Sequence, residues 1–145
     1  MTPAPGERLV VDASVAIKWV VPEPDSDQAA ALLDHTLVAP DLFFAECANV
    51  LWKKLRRGDL TEEEASIAAR TLEQVDLVVV PTRAYLGRAV AIAAALEHPA
   101  YDAIYIAVAE TFGLRLATAD ARLIRKMRQP PGTFGHLVAA LSEVA

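Results

Sequence analysis

The stretch LVVDASVAIKWV, residues 9–20, opens with an uninterrupted apolar run that stops at Asp12 and continues into a segment of helical length. Similar short runs, rich in β-branched residues, recur at residues 37–39, 77–80 and 114–118. Runs of this length without polar alternation are typical of strands that are buried on both faces of a parallel sheet. The pattern therefore predicts strands that alternate with helices, which is the organisation of an α/β fold.

The segments between these runs have the length and the boundary residues of helices. Thr61 and Glu64 have the spacing of a capping box, and Gly58 lies where the end of the preceding helix needs a residue of positive φ. The predicted helices span residues 14–20, 26–35, 42–57, 61–75, 83–97, 101–112 and 121–128. Residues 132–145 fit either a short edge strand around 137–141 or a final helix, so the predicted sheet has four or five strands.

The composition is typical of one globular domain, and we expect a single domain over residues 1–145. Of the 145 residues, 54% are hydrophobic, which is enough for one sizeable core. The one cysteine, Cys47, excludes an internal disulfide and a cysteine-built zinc site. A net charge of -5 argues against a protein that coats nucleic acid through bulk positive charge. Neither a membrane span nor a signal peptide is predicted, and we therefore expect a cytoplasmic protein.

Acidic residues follow two of the predicted strands. Asp12 comes directly after the run that ends at Val11, and Asp120 comes two residues after the run that ends at Thr118. In an open parallel sheet the carboxyl ends of the strands meet at one edge, and ligands bind beyond that edge. Asp is also a preferred N-cap residue of helices, so a structural role is the alternative for each residue. The matching positions of the two acids favour a functional site.

Two further acids lie within predicted helices. Asp102 is the sole charged residue of PAYDAIYIAVA, residues 99–109, whose apolar pattern predicts a buried helix. A buried carboxylate there needs a partner, although the free N–H groups of a first helical turn can also stabilise it. Glu46 shares one helix face with Asn49 and Lys53, and the alternative for that face is an ordinary solvated surface.

The stretches that carry these four acids resemble one known family. They are VVDASVAIKW at residues 10–19, APDLFFAECANVLWKKLRRGDL at 39–60 and PAYDAIYIAVAETFGLRLATADARL at 99–123. Together they resemble the PIN domain, and most closely the VapC-type toxins of prokaryotic toxin-antitoxin pairs, over residues 9–128. The resemblance implies a three-layer α/β/α fold with a central parallel sheet and a metal-dependent endoribonuclease activity. It also implies a homodimer and a cognate antitoxin whose C-terminal segment blocks the site.

The resemblance assigns roles to particular residues. The metal-binding and catalytic acids of the family correspond to Asp12, Glu46, Asp102 and Asp120, with Ser14, Asn49 and Thr118 as supporting polar residues. Mg2+ and Mn2+ are the expected cofactors, because these hard cations prefer oxygen ligands. Clusters of positive charge flank the acids in the sequence, so we expect Lys53, Arg122 and Lys126 to border the site and contact RNA, the alternative being a solvated helix face.

Other kinds of site fit the sequence less well. His35, His98 and His136 lie in different segments without ligand spacing, so no zinc site is predicted from them. A receiver-like signalling domain would also place acids at strand ends, but it needs an acidic pair after the first strand and a lysine at the last strand end. A PIN domain that serves only as a binding module is the other alternative, and the presence of all four acids argues against it.

Overall fold

A computed structural model describes residues 6–130 and 132–145, in which five parallel strands form one sheet. The strands are β1 (Arg8–Val11), β2 (Thr36–Pro40), β3 (Val78–Val80), β4 (Leu116–Thr118) and β5 (Val138–Ala140). Their order across the sheet is β3-β2-β1-β4-β5, and Val10 of β1 aligns with Val38 of β2 and with Leu116 of β4. The predicted parallel sheet is confirmed.

Helices flank this sheet on both faces. They are α1 (Ala13–Val20), α2 (Ser26–Ala31), α3 (Leu42–Arg56), α4 (Glu62–Glu73), α5 (Leu86–Leu96), α6 (Ala100–Phe112), α7 (Ala121–Arg128) and α8 (Leu141–Val144). Because parallel crossovers are right-handed, the reversal of strand order at β1 puts α1 to α4 on one face and α5 to α7 on the other. The predicted three-layer α/β/α architecture is therefore confirmed. None of the helices in the described residues combines the length and the apolar character that crossing a membrane requires.

β1 and α6 lie at the centre of the core. Leu9, Val10 and Val11 are fully buried, because β1 is a central strand with a layer of helices on each face. Residues Ala103 to Ala109 of α6 are also all buried, which confirms the prediction of a helix that is apolar on every side. Each fully buried aliphatic side chain of this kind stabilises the fold by roughly 1.5–3 kcal/mol.

The predicted boundary residues of α3 and α4 behave as expected. Gly58 follows the end of α3 with a φ of 79°, a conformation that residues with a Cβ rarely adopt. The N–H of Glu64 donates to Thr61 Oγ1 at 3.1 Å, and the N–H of Thr61 donates to Glu64 Oε1 at 2.9 Å. This is the reciprocal capping box that the sequence predicts.

Two predicted helices have a 3-10 turn at one end, and the structure decides the C-terminal segment that the sequence left open. The helix expected over residues 26–35 ends at Ala31 and continues as the short 3-10 turn Leu32–Asp34. Before α5, residues Thr82–Tyr85 also form a 3-10 turn, where the N–H and the hydroxyl of Thr82 both donate to Asp41. The C-terminal segment contains both alternatives, because β5 pairs with β4 and the chain then turns directly into α8.

The strand order also distinguishes the predicted PIN-like fold from the receiver-like alternative. The sheet reads 3-2-1-4-5, whereas receiver domains share the flavodoxin-like order 2-1-3-4-5. The receiver-like alternative is therefore excluded by the topology. The order reverses between β1 and β4, and in open α/β sheets that reversal creates the crevice in which ligands bind.

Candidate active site

An acidic pocket of about 510 Å³ opens beyond the carboxyl ends of β1 and β4, where the strand order reverses. The polar residues that line it are Asp12, Ser14, Glu46, Asn49, Lys53, Tyr101, Asp102 and Asp120. The four predicted acids thus come together from four different elements: the end of β1, α3, the first turn of α6 and the loop after β4. The fold brings together residues that lie far apart in the sequence.

Asp12 is the most buried of these acids, with 6% of its surface exposed. Its Oδ1 accepts hydrogen bonds from the N–H and the hydroxyl of Ser14 at 3.1 and 2.5 Å, and its Oδ2 accepts one from the Thr118 hydroxyl at 2.5 Å. Burial raises the pKa of Asp12 to about 6, and the charge of Asp102 adds to this effect, while the two hydroxyls oppose it. Asp12 is therefore a strongly oriented carboxylate with little access to water.

The same two hydroxyls connect Asp12 to the segment that carries Asp120. Ser14 Oγ accepts the N–H of Ala119 at 2.9 Å, and Thr118 Oγ1 accepts the N–H of Asp120 at 3.1 Å. Asp120 Oδ1 then accepts two N–H groups from the first turn of α7. Asp12 and Asp120 are therefore both helix N-caps and both line the pocket, so a capping role does not exclude the predicted functional role, which stays a prediction.

Glu46 lies in the second turn of α3 and is half-buried. Burial raises its pKa, the nearby Tyr105 hydroxyl opposes that rise, and the charge of Asp102 adds to it. Tyr105 itself is fully buried, and its hydroxyl does not meet hydrogen-bond geometry with any described residue. Sequence reasoning missed Tyr105, because an aromatic residue inside an apolar helix has the pattern of an ordinary core residue.

Asp102 is less buried than the sequence predicts, since 26% of its side chain stays exposed. The reason is its place in the first turn of α6, which borders the pocket, whereas the rest of that helix lies in the core. The sequence predicts that Asp102 needs a partner, and the structure shows that this partner is His98, whose Nε2 lies 2.6 Å from Asp102 Oδ2. Sequence reasoning missed this pairing, and the one available signal was the four-residue spacing across Pro99.

The sequence profile of the PIN domain matches residues 9–128, which include all four acids. The chain belongs to the PIN domain family. It is 42% identical to ribonuclease VapC3 of Pyrobaculum aerophilum over 127 residues, which cover 82% of this chain and 94% of that protein. It is 34% identical to ribonuclease VapC3 of Mycobacterium tuberculosis over 124 residues, or 84% of this chain and 89% of that protein. The resemblance to VapC-type proteins is thus confirmed.

Solved structures support the same PIN fold. The crystal structure of PAE2754 from Pyrobaculum aerophilum matches this chain with a TM-score of 0.64 and 26% identity. The match covers 94% of this chain and 85% of the PAE2754 chain. A toxin-antitoxin complex from Klebsiella pneumoniae also has a TM-score of 0.64, at 16% identity, and covers 94% of this chain and 99% of that one. At that identity the second likeness supports the fold alone.

The acidic pocket has the oxygen donors of a site for a hard cation. All four acids offer carboxylate oxygens, and in the described residues neither Asp12, Glu46 nor Asp120 has a basic side chain within 4.0 Å. No ion pair offsets these three charges in the described residues, so the pocket offers the oxygen donors and the negative charge that a divalent cation prefers.

The four acids line one pocket but are not grouped as a complete set of metal ligands. Within residues 6–130 and 132–145, no three His, Cys, Asp or Glu side chains are arranged to hold one ion. The physical reason is that like charges separate and three of the acids find protein donors. Asp12 accepts hydrogen bonds from two hydroxyls, Asp102 accepts one from His98, and Asp120 accepts them from backbone N–H groups.

The three basic residues that are predicted to contact RNA occupy different places around the acidic pocket. Lys53 is exposed and lines the pocket together with Glu46 and Asn49, as their common helix face predicts. Arg122 is exposed on α7, two residues after Asp120, but does not line the pocket. Lys126 also lies outside the pocket lining, and its Nζ donates to the carbonyl oxygens of Leu96 and Glu97 at 3.3 and 3.4 Å. A contact of Arg122 or Lys126 with RNA stays a prediction.

Proposed function

We propose that this chain is a metal-dependent endoribonuclease that hydrolyses RNA phosphodiester bonds and acts as the toxin of a toxin-antitoxin pair. The observation that carries the proposal is the acidic pocket, in which acids from four separate elements meet at the reversal point of the sheet. Relatives named VapC ribonucleases are similar to this chain over most of its length, which supports the same activity. We propose that residues 1–145 act as one nuclease domain.

The residues that would hold Mg2+ or Mn2+ are Asp12, Glu46, Asp102 and Asp120, supported by Ser14, Asn49 and Thr118. When bound, such an ion supplies activation of water and neutralisation of the charge on the phosphate. The protein supplies orientation: the hydroxyls of Ser14 and Thr118 hold both oxygens of Asp12, so this ligand loses little freedom on binding. The uncompensated acids would repel an RNA phosphate, which makes the pocket dependent on a cation.

Water is the nucleophile that the pocket favours. Ser14 is the one hydroxyl-bearing aliphatic side chain in the lining, and its hydroxyl donates to Asp12 rather than to a histidine. The same oxygen accepts the N–H of Ala119, so the Ser14 hydroxyl is committed to holding Asp12 and the segment before Asp120. Lys53 at the edge of the pocket is placed to attract the phosphate, and we propose Arg122 and Lys126 as further RNA contacts outside the pocket.

The test is RNA cleavage by the purified chain with Mn2+, with Mg2+ and with chelator. Single-stranded and structured RNAs should be cut only when the metal is present. Attack by water also predicts that a 2′-deoxy substitution at the cut position is tolerated and that no 2′,3′-cyclic phosphate forms. Cleavage that persists in chelator, or that needs the 2′-hydroxyl, would contradict the proposal.

Asp12→Asn is the matched control for that experiment. The amide keeps the size of the side chain, but it is a poor ligand for a hard cation, so cleavage and any toxicity should be abolished while the fold is retained. A variant with the parent's circular dichroism spectrum and the parent's cleavage rate would rule out the pocket as the active site. RNA binding without cleavage by the parent, in Mn2+ and in Mg2+, would instead support the binding-module alternative.

The proposed partners are RNA, a cognate antitoxin and a second copy of the chain. The antitoxin follows from the similarity to VapC proteins, and its C-terminal segment is expected to cover the acidic pocket. Co-expression with the proposed cognate antitoxin should give a complex in which cleavage is inhibited. Sedimentation analysis of the purified chain tests the homodimer, and a monomer at all concentrations would contradict it.

A further inference from the structure

In the described residues, the His98 side chain makes one hydrogen bond, and its partner is a residue of the acidic pocket. Its imidazole is 7% exposed, and its Nε2 lies 2.6 Å from Asp102 Oδ2. The other ring nitrogen, Nδ1, is buried and has no hydrogen-bond partner among the described residues. Because buried polar side chains need hydrogen-bond partners, Asp102 is the group that stabilises the imidazole in this position.

The direction of this hydrogen bond follows from the chemistry of the two groups. An ionised carboxylate can only accept, so Nε2 carries the hydrogen and donates it to Asp102. A ring that faces a ligand carboxylate in this way restricts the rotation of the carboxylate. Hydrogen bonds of this kind to metal ligands typically change metal affinity by roughly 10- to 100-fold.

The residue before His98 ends α5 in the left-handed conformation with which many helices end. Glu97 has a φ of 51°, and it is the one non-glycine residue with positive φ in the described chain. Lys126 of α7 donates to the carbonyl oxygens of Leu96 and Glu97, which anchors this turn from outside the pocket. The N–H of His98 donates to the carbonyl oxygen of Ala93 at 3.2 Å, so hydrogen bonds from both α5 and α7 hold the turn that carries the imidazole.

We propose that His98 is a positioning residue that orients Asp102 for binding of the divalent cation. This inference rests on the proposed function, because it needs Asp102 to be a metal ligand. His98 does not line the pocket and acts only through Asp102. It adds a residue to the site that neither the acid pattern nor the resemblance predicts.

The test compares Mn2+ affinity, measured by calorimetry without RNA, across substitutions that differ in reach. In His98→Gln the amide nitrogen can occupy the place of Nε2 and still donate to Asp102, so the Mn2+ Kd should stay close to that of the parent. In His98→Asn the shorter side chain reaches only the place of Nδ1, and the Kd should rise by about 10-fold or more. His35→Asn is the matched control, because His35 also has a buried, unpartnered Nδ1 but lies outside the pocket.

A purely structural role gives a different result. It predicts that His98→Asn lowers the melting temperature in chelator while the folded fraction binds Mn2+ as the parent does, and that outcome overturns the inference. In an Asp102→Asn background, His98→Asn should raise the Kd no further, since its effect passes through Asp102. An additive effect there also overturns it. A parent that does not bind Mn2+ overturns both proposals, whereas a parent that binds it equally well with and without His98 overturns the role of His98 alone.

Discussion

The carboxylate of Asp12 shows how the site balances two opposing effects on a single residue. Removal from water raises its pKa to about 6, while the hydroxyls of Ser14 and Thr118 stabilise the charged form. No basic side chain within 4.0 Å offsets the charge in the described residues. The metal-free protein therefore keeps an acid in a state that weakens the fold at neutral pH.

We predict that metal-free stability falls as the pH rises from about 4 to about 6. In this range Asp12 keeps its proton in the folded chain. In the unfolded chain, where its pKa has the usual value of 3.8, Asp12 has released that proton. The contribution of Asp12 to the free energy of unfolding should therefore decrease by up to about 3 kcal/mol across this pH range and stay constant above it. Urea unfolding in chelator, with Asp12→Asn as the comparison, measures this. Parallel pH profiles for the two proteins would show that the Asp12 pKa is not raised.

We also predict that Thr118→Val destabilises the protein by about 2 kcal/mol at pH 7.5. The substitution keeps the shape but removes a buried donor to a charged acceptor, and such bonds are worth roughly 1.5–3 kcal/mol. Thr111→Val is the control, because the Thr111 hydroxyl donates only to the carbonyl oxygen of Ala107 in its own helix. It should lose less than about 1 kcal/mol. Equal losses for the two variants would contradict a special role of the Thr118 hydroxyl.

The residues that were predictable from the sequence are those that local patterns position. Asp12 and Asp120 end runs of buried strand residues, so their meeting at one edge follows from the parallel sheet. His98 was not predictable, because its contact with Asp102 crosses the turn between α5 and α6, in which Glu97 has a left-handed backbone. Glutamate carries no local signal for that conformation, which is usually found at glycine or asparagine.

At the scale of elements, α3 separates two neighbouring lysines that the sequence places in one basic cluster. Lys53 is exposed and lines the acidic pocket on the same face as Glu46. Lys54 points elsewhere, and its Nζ lies 3.2 Å from Glu23 Oε1, with 16% of the side chain exposed. Consecutive helix residues face directions about 100° apart. Lys53 can therefore face the pocket while Lys54 forms an ion pair that stabilises the fold.

This difference makes the two lysines a matched pair for RNA binding. We predict that Lys53→Ala weakens binding and lowers the slope of log affinity against log salt concentration by about 0.7, the value for one phosphate contact with a single strand. Lys54→Ala should leave the slope unchanged, because its charge is already neutralised by Glu23. Fluorescence anisotropy at several salt concentrations, with the Asp12→Asn background to prevent cleavage, measures both slopes. Equal slopes for the two variants would place the RNA away from this face of α3.

Element boundaries were less predictable than element identities, for a physical reason. The helix predicted over residues 83–97 begins as a 3-10 turn, because Thr82 donates to Asp41 on another part of the chain. The C-terminal residues form β5 only because β4 offers an open edge for Val138 to Ala140. Both features depend on partners that are distant in sequence, and a local pattern does not encode them.

At the scale of the whole molecule, the acidic pocket unites elements from almost the full length of the chain. The topology alone accounts for Asp12 and Asp120, which follow adjacent parallel strands. Glu46 and Asp102 lie on helices from opposite faces of the sheet, and their meeting in one pocket could be predicted only from the family resemblance. A ligand that contacts all four acids would therefore connect both helical layers and the sheet.

This connection predicts that Mn2+ stabilises the protein against global unfolding. A ligand that binds only the folded chain raises the free energy of unfolding by roughly 2.7 kcal/mol at one hundred times its Kd, so the parent should melt higher in Mn2+ than in chelator. Asp12→Asn should gain much less, since it lacks one of the proposed ligands, while Asp34→Asn, an acid outside the pocket, should gain as much as the parent. The gain should also shrink below about pH 6, where a proton on Asp12 competes with the metal. Thermal melts of the three proteins with Mn2+ and with chelator, at pH 5 and pH 7.5, give all of these comparisons. A parent whose melting temperature does not respond to Mn2+, or an Asp34→Asn variant that responds as weakly as Asp12→Asn, would show that the acidic pocket is not where the metal binds.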